Sequence, residues 1–395
     1  MKSYGFRVLP AEDGAAVPVA VAGQSMVDIQ KLLTDIGTML IRAELRVQGE
    51  VAPSLKAKFD LKISGPTGEG MGSDPDEGSA DIMEDAIGML CATLDFLGKG
   101  VVGTWFEDYF PEPVGRRDIA RDVLALSEHL DGYTLEYGPA EDQRRFGAID
   151  REKVRAVAEG SVSKVQAAVI GIISRDPVKM NHWHISNGAD DMEIEFADNI
   201  AKSDIPSFAE AGPIIAAGYI NIGPNGERLS LTDVNGCYTF PSVKFHRIIT
   251  PARDIKLLNP AIATPSYDQG KGLWHLSCEL LGLDVSKPSW DECVISYHDY
   301  FAFLWETYCE SDDEFEGEEK EIRDYLKSLE PVARGRPRIL FIGPAQSRDR
   351  AQCPRGGSRT GMWPASERSA SPSCSTSRSR PSGPEGPTGR ADTSG

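Results

Sequence analysis

The chain has 395 residues, of which 40% are hydrophobic and 26% are charged, and this length predicts two or three domains. No run of about 18 apolar residues is present, and residues 1–6 lack the apolar segment of a signal peptide. A membrane protein or a secreted protein is therefore disfavoured, and we expect an acidic cytoplasmic protein of prokaryotic type.

The net charge of −18 is divided unevenly along the chain. Residues 331–395 contain 11 Arg, no Lys and 4 acidic residues, whereas residues 1–330 contain 31 basic and 56 acidic residues, a net charge of −25. A body this acidic repels polyphosphate and anionic membranes, so nucleic-acid and membrane binding are disfavoured for residues 1–330. A cationic protein partner, or solubility alone, explains the charge better.

The C-terminal 65 residues are rich in Arg, Ser, Pro and Gly, a composition that predicts disorder. One interpretation is a basic arm that binds nucleic acid. The other is a shifted reading frame, which we favour because Arg without Lys beside abundant Gly, Pro, Ser and Ala is typical of a GC-rich gene read out of frame.

Residues 1–160 predict a mixed α+β domain, because apolar residues recur with both helical and strand periodicity. The predicted strands are an edge strand at 17–21, a half-buried strand at 55–63 and a third at 133–137. The predicted helices cover 26–42 behind a Ser25 cap, residues from Ser79 to 94, a segment that starts near Asp118, and 151–159.

Residues 163–252 predict a mainly β domain. Val165 and Val169 share one face of a strand, and the apolar pattern shifts register after Gly171, which indicates a bulge or bend. The pairs Asn225–Gly226 and Asn235–Gly236 are typical of tight hairpin turns. Several short strands joined by such turns predict a small barrel or sandwich.

Residues 253–330 predict a strand-helix module with an acidic linker. A strand covers 272–278, and Ser289 and Glu292 form the capping box of a helix that runs to about Tyr308. The acidic run 312–319 lacks the order of a calcium-binding EF-hand loop and leads into a helix over 318–329.

An aromatic stripe on the first of these helices gives the main functional hypothesis, a surface that binds a protein partner or a second copy of the chain. The alternative is a helix that is buried on two sides. The stripe consists of Trp290, Tyr297, Phe301, Trp305 and Tyr308.

A pair of histidines gives a second hypothesis, a metal-dependent enzyme. His182 and His184 are two residues apart, so in a strand both imidazoles face one side and could bind one metal ion. His246, Asp190 or Asp191 could complete the ligand set, but none has a diagnostic spacing. Ordinary surface or core histidines are the alternative.

Other sequence features weigh against catalysis. The glycine-rich loop 68–73 lacks the Lys-Ser/Thr of a phosphate-binding loop and carries acidic residues. The seven cysteines form no C-x-x-C pair, and neither Cys237 nor Cys278 lies in a known nucleophile motif. We therefore lean towards a non-catalytic protein and expect no cofactor.

The order of elements in residues 253–310 resembles the HicB-like antitoxin family. The resemblance rests on strand 272–278, the link through Leu283 and Val285, and the helix start at Ser289–Glu292. Cys293 and Val294 stand where that family has small residues. The resemblance implies a degraded ribonuclease-H-like fold in this segment and a binding module rather than a catalyst.

Taken together, the sequence predicts an α+β protein with an α+β domain at 1–160, a mainly β domain at 163–252, a strand-helix module at 253–330 and a tail at 331–395. The preferred function is protein binding or self-association. A metal-dependent enzyme that uses His182 and His184, and a nucleic-acid binder that uses the basic tail, are the alternatives.

Overall fold

The computed structural model of the protein shows an α+β fold in which helices and strands are mixed along the chain. The structure describes residues 4–12, 15–63, 71–73, 80–139, 141–160, 163–179, 182–223 and 227–329. All of these lie within one unit, Met1–Ala345. Among them, no helix combines the length and the apolarity needed to span a membrane.

The N-terminal part combines a five-stranded antiparallel sheet with six helices. The helices are α1 (Val19–Leu45), α2 (Pro53–Lys56), α3 (Ala80–Gly98), α4 (Thr104–Tyr109), α5 (Pro113–His129) and α6 (Arg151–Ala158). The strands are β1 (Tyr4–Pro10), β2 (Lys62–Ile63), β3 (Met71–Ser73), β4 (Tyr133–Pro139) and β5 (Arg144–Phe146), in the order β2-β3-β1-β4-β5. The predicted helices and the strand at 133–137 are confirmed, although α5 starts five residues earlier than expected, and Ser79 lies outside the described residues.

Two predicted strands in this part are wrong. Val19 already begins α1, so Ser25 is buried inside that helix instead of capping it. Residues 53–59 form α2 and a 3-10 turn, and only Lys62–Ile63 is a strand. Leu55 and Phe59 are both buried and lie four residues apart, so the apparent alternation coincided with helical spacing.

The middle part is a closed five-stranded barrel, which is the first of the two predicted architectures, a barrel or a sandwich. It consists of β6 (Lys164–Arg175), β7 (Trp183–Ser186), β8 (Asp191–Phe196), α7 (Ile205–Glu210), β9 (Ile214–Ile222) and β10 (Arg228–Thr239). The strand order is β10-β8-β7-β6-β9, with β8 and β10 parallel and the other pairs antiparallel. This order, with a helix between the third and fourth strands, is the topology of an OB-fold.

Gly171 marks the place where β6 changes partners. Through Gly171 the strand pairs with β9, and from Ile172 it pairs with β7. Of the predicted bulge or bend, a bulge is absent, because neither pairing shifts register. A Cβ atom at Gly171 would lie 2.5 Å from Cγ1 of Ile185, so the crossing leaves room only for glycine.

The predicted Asn235–Gly236 hairpin turn is wrong, because both residues lie inside β10. That strand pairs with both β8 and β9, and its register to β9 shifts between Thr232 and Gly236. Within this stretch Asp233 adopts a positive φ of 52°. The apparent turn is thus a bulge in a long strand. The Asn225–Gly226 pair lies outside the described residues.

The C-terminal part is a four-stranded antiparallel sheet with one helix on its buried face. The strands β11 (Val243–Ile249), β12 (Asp254–Asp268), β13 (Leu273–Cys278) and β14 (Leu283–Lys287) lie in chain order, and α8 (Trp290–Cys309) and α9 (Glu318–Ser328) follow. The predicted strand and both helices are confirmed. Ser289 Oγ accepts the Glu292 N–H at 3.2 Å, which is the first hydrogen bond of the predicted capping box. The second bond, in which the Glu292 carboxylate would accept the Ser289 N–H, is absent, and the structure describes both of these residues.

Two hydrophobic cores form, one inside the barrel and one shared by the N-terminal and C-terminal parts. The first turn of α8 joins all three parts. The Asp291 carboxylate accepts the N–H groups of Gln48 and Gly49 at 3.1 and 2.6 Å. Trp290 donates its indole N–H to the Arg46 carbonyl at 3.1 Å and its backbone N–H to the Asn187 carbonyl at 2.8 Å. The predicted domain boundaries near 160 and 252 stay predictions.

Candidate functional site on the outer face of helix 8

The aromatic stripe predicted as a partner surface lies on the inner side of α8. Trp290, Tyr297, Phe301 and Trp305 are buried, and Tyr308 is half-buried against Phe315, with ring centroids 4.9 Å apart. The Trp290 ring lies 5.4 Å from that of Trp274, and the Tyr297 ring lies 5.4 Å from that of Phe245. The predicted placement of the surface is therefore wrong, because this stripe packs α8 onto the sheet.

The opposite side of α8 exposes two large aromatic side chains. Tyr300 is 60% exposed and Phe303 is 63% exposed. Residues three apart on a helix are neighbours on its surface, so the two rings form one patch. Adjacent exposed apolar side chains with a polar rim are a feature of interaction sites. The sequence analysis missed this patch because the aromatic residues surround the helix.

Acidic side chains surround the aromatic patch. Glu292, Asp299 and Glu306 are exposed on the same side of α8, and the helix sequence contains neither Lys nor Arg. Beside Glu306 lies Arg253, whose guanidinium contacts Glu306 at 3.2 Å and Glu310 at 2.5 Å. Acidic groups near a helix C-terminus are unfavourable, and the last turn of α8 carries no basic residue. The arrangement therefore suits a role in recognition better than one in local stability.

The two histidines of the metal hypothesis lie on the outer face of the barrel, and each faces a different carboxylate. His182 hydrogen-bonds to Glu193, whereas His184 lies 3.6 Å from Asp176 and 3.4 Å from Asp191. The bond from His182 lowers the pKa of Glu193. Over the described residues, no group of three His, Cys, Asp or Glu side chains is arranged to hold a metal ion.

Of the further ligands considered for this site, all within the described part of the chain, Asp191 contacts His184 but the other two do not contact either histidine. His246 lies on β11, outside the barrel, and Asp190 precedes β8 in the loop that Asn187 closes with its side chain. Metal binding by His182 and His184 stays a prediction without geometric support.

The outer face of β7 and β8, the second and third strands of the barrel, corresponds to the face on which OB-folds bind oligonucleotides. In the third strand, β8, every second side chain faces solvent, and these side chains are those of Asp191, Glu193 and Glu195. These carboxylates repel phosphate, which agrees with the charge of the whole body. The basic tail proposed as a nucleic-acid-binding arm lies outside the described residues.

A serine, a histidine and an aspartate meet on the exposed face of the four-stranded sheet but do not form a catalytic triad. Ser286 Oγ lies 2.8 Å from Nδ1 of His275, and Asp284 Oδ1 lies 3.7 Å from the same nitrogen. A triad needs the carboxylate and the hydroxyl on opposite ring nitrogens.

Neither of the two cysteines considered as nucleophiles, both within the described part of the chain, is activated. Burial raises the pKa of Cys237 to about 11, so its thiol is protonated and a weak nucleophile at neutral pH. Cys278 is buried. Of the glycine-rich loop, Met71–Ser73 forms β3 and pairs with β1, and residues 68–70 lie outside the described residues.

Comparison with known proteins gives one partial similarity. The chain is 24% identical over 155 residues to an adenylate kinase isoenzyme 6 homolog from Dictyostelium discoideum. The matched region covers 37% of this chain and 82% of that protein. No family model and no solved structure matches the chain.

Proposed function

We propose that the protein is a binding module that captures a basic protein through the outer face of α8. We define this docking face as Tyr300 and Phe303 together with Glu292, Asp299 and Glu306. The observation that carries the proposal is the exposed aromatic pair on a helix whose opposite side is buried in the core.

The packing of α8 supports a docking role. Because Trp290, Tyr297 and Phe301 are buried, the helix backbone is already fixed before a partner arrives. Binding then costs little ordering of the backbone, and exposed tyrosine and phenylalanine rings supply apolar area with few rotatable bonds. Aromatic side chains of this kind are frequent anchors in protein interfaces.

The charge of the docking face specifies the chemistry of the partner. Three exposed carboxylates surround the aromatic pair, and residues 1–330 carry a net charge of −25. A second copy of this chain would bring the same negative charge to the interface, so self-association through this face is disfavoured. A partner with Arg or Lys around an apolar recess is complementary.

The order of elements in this region also supports a binding role. Strands β13 and β14 are followed by a helix with a Ser289 cap. The resemblance of this segment to HicB-like antitoxins implies a binding module rather than a catalyst. The similarity to an adenylate kinase homolog does not extend to a phosphate-binding loop, because the sequence contains no G-x-x-x-x-G-K-[ST] motif. We therefore do not propose phosphoryl transfer.

The proposal is tested by replacing Tyr300 and Phe303 with alanine in the full chain. Proteins from the source cell are captured on the wild type and on the double variant, and the affinity of each captured protein is then measured after purification. We expect a basic partner whose affinity falls at least about 30-fold in the double variant, because a central aromatic anchor contributes about 2 kcal/mol or more.

Tyr238→Ala is the matched control, because Tyr238 is equally exposed, at 60%, but lies on β10 of the barrel. This variant should bind like the wild type, and all three proteins should have the same melting temperature within the small effect of surface substitutions. Higher salt should slow association with the partner. Equal capture by the double variant, or a partner that is acidic, would refute the proposal.

A further inference from the structure

A cleft in the N-terminal part lies apart from the docking face. The cleft has a volume of about 360 Å³, within the range of small-molecule sites. One wall is a face of α3 that runs from Glu84 through Gly88 to Phe96, and the other walls come from Tyr4, Tyr109 and the β4–β5 hairpin. Most of the lining is apolar.

The walls of this cleft are fixed by contacts behind them. Trp105 stacks on both Phe96 and Tyr109, with ring centroids 4.2 and 4.9 Å apart. Burial raises the pKa of Cys91 and of Tyr109 to about 12, so both groups are neutral at physiological pH and belong to the apolar wall. A site with rigid aromatic walls binds a ligand without a large ordering cost.

The charged side chains on the hairpin side of the cleft already form ion pairs with one another. Arg144 pairs with Asp95 and, through Nη2, with Asp142 at 2.9 Å. Asp95 also accepts the hydroxyl of Tyr137 at 2.5 Å. The Arg144 guanidinium is thus shared between two carboxylates and has little capacity left for an anionic ligand.

The carboxylate of Glu84 is different. Within the described part of the chain it makes no ion pair and no hydrogen bond, although it is half-buried at the edge of the cleft. Burial raises the pKa of the nearby Tyr4 phenol, and the negative charge of Glu84 raises that pKa further. The lining as a whole contains four carboxylates and two basic groups, so the cleft is negative.

We propose that this cleft binds a small aromatic amine, with its ring between the apolar walls and its ammonium group at Glu84. An ammonium ion in this position replaces the missing partner of the Glu84 carboxylate, and the tyrosine rings nearby stabilise a cation. One or two fused rings with a short aminoalkyl chain fit within the volume of the cleft.

Tryptamine is a suitable probe, and its binding to the full chain can be measured by titration calorimetry. Indole-3-propionate has the same ring but a carboxylate, so the pair separates the contribution of charge from that of the ring. We expect one tryptamine site, with binding to Glu84→Gln at least about 10-fold weaker and binding of indole-3-propionate weaker than that of tryptamine.

Gly88→Leu tests the location of the site. A Cβ atom at Gly88 meets no atom within 4 Å, and glycine is less favourable than leucine inside a helix, so the variant should fold at least as well as the wild type. The leucine side chain should occupy the cleft and abolish tryptamine binding. Gly23→Leu in α1 is the matched control, because Gly23 also has open space around it and lies outside the cleft.

The proposal is overturned if tryptamine does not bind the wild type, or if Gly88→Leu binds it as tightly as Gly23→Leu does. It is also overturned if indole-3-propionate binds as well as tryptamine, because Lys99 at the rim and not Glu84 would then select the ligand. The double variant of the docking face should bind tryptamine normally, so the two proposals can fail separately.

Discussion

Replacing Arg247 with methionine should lower the free energy of unfolding by about 3–5 kcal/mol, the cost of removing one partner from a buried ion pair. The Arg247 side chain is almost wholly buried and donates to Asp254 through Nε and Nη2 at 2.6 and 2.8 Å. Its Nη1 donates to Asp85 on α3 at 2.7 Å. Methionine would leave both carboxylates buried without their shared cation.

Urea denaturation measures this effect, and Arg253→Met is its matched control. Arg253 lies in the β11–β12 turn and also contacts two carboxylates, but these contacts are close to solvent, and exposed pairs contribute about 0–1 kcal/mol. Adding Asp85→Asn and Asp254→Asn to Arg247→Met should recover part of the loss, because no uncompensated charge then remains. Equal midpoints for the two arginine variants would show that the buried network contributes little.

Acidification should destabilise the protein through His298. This side chain on α8 is fully buried beside Phe245; its Nδ1 accepts the Ile249 N–H at 3.0 Å, and its Nε2 has no hydrogen-bond partner among the described residues. Burial lowers the pKa of His298 from its ordinary 6.5 to about 3. Between these values the unfolded chain binds a proton that the folded chain does not, so stability falls as the pH drops below 6.5.

His298→Gln removes this proton uptake and keeps an acceptor for the Ile249 amide. From pH 7.5 to pH 5 the wild type should lose about 2 kcal/mol more stability than the variant, since one pKa unit corresponds to about 1.4 kcal/mol. Urea denaturation at both pH values gives the difference. His246→Gln, an exposed histidine on β11, should show the wild-type pH dependence. If His298→Gln loses as much stability as the wild type on acidification, the imidazole is not neutral in the core.

The elements that the sequence predicted correctly are those in which local pattern and tertiary packing agree. The inner stripe of α8 and the Ser289 cap define that helix without reference to the rest of the chain. The segment Leu55–Phe59 failed because alternation over five residues also places its first and last residues on one side of a helix. Pro53 at the start of the segment is a helix-start signal that the sequence analysis did not use, whereas the packing of Phe59 against α1 is a tertiary contact that the sequence does not reveal.

The candidate site was harder to predict than the fold. An aromatic stripe predicts which side of α8 is apolar, but whether that side meets a sheet or solvent depends on strands β11 to β14. Tyr300 and Phe303 could have been found from the absence of Lys and Arg in α8, since solvated helices normally carry both charges. The cleft at Glu84 had no sequence signal, because its walls come from residues about 140 positions apart.

The first turn of α8 has a consequence for biosynthesis. Its contacts with residues 46–49 close a loop of more than 240 residues, and the larger core includes side chains from both ends of that loop. Such distant contacts slow folding, and the N-terminal part emerges from the ribosome long before its partner segment does. The nascent chain therefore exposes part of an incomplete core until residues 290–305 have been synthesised.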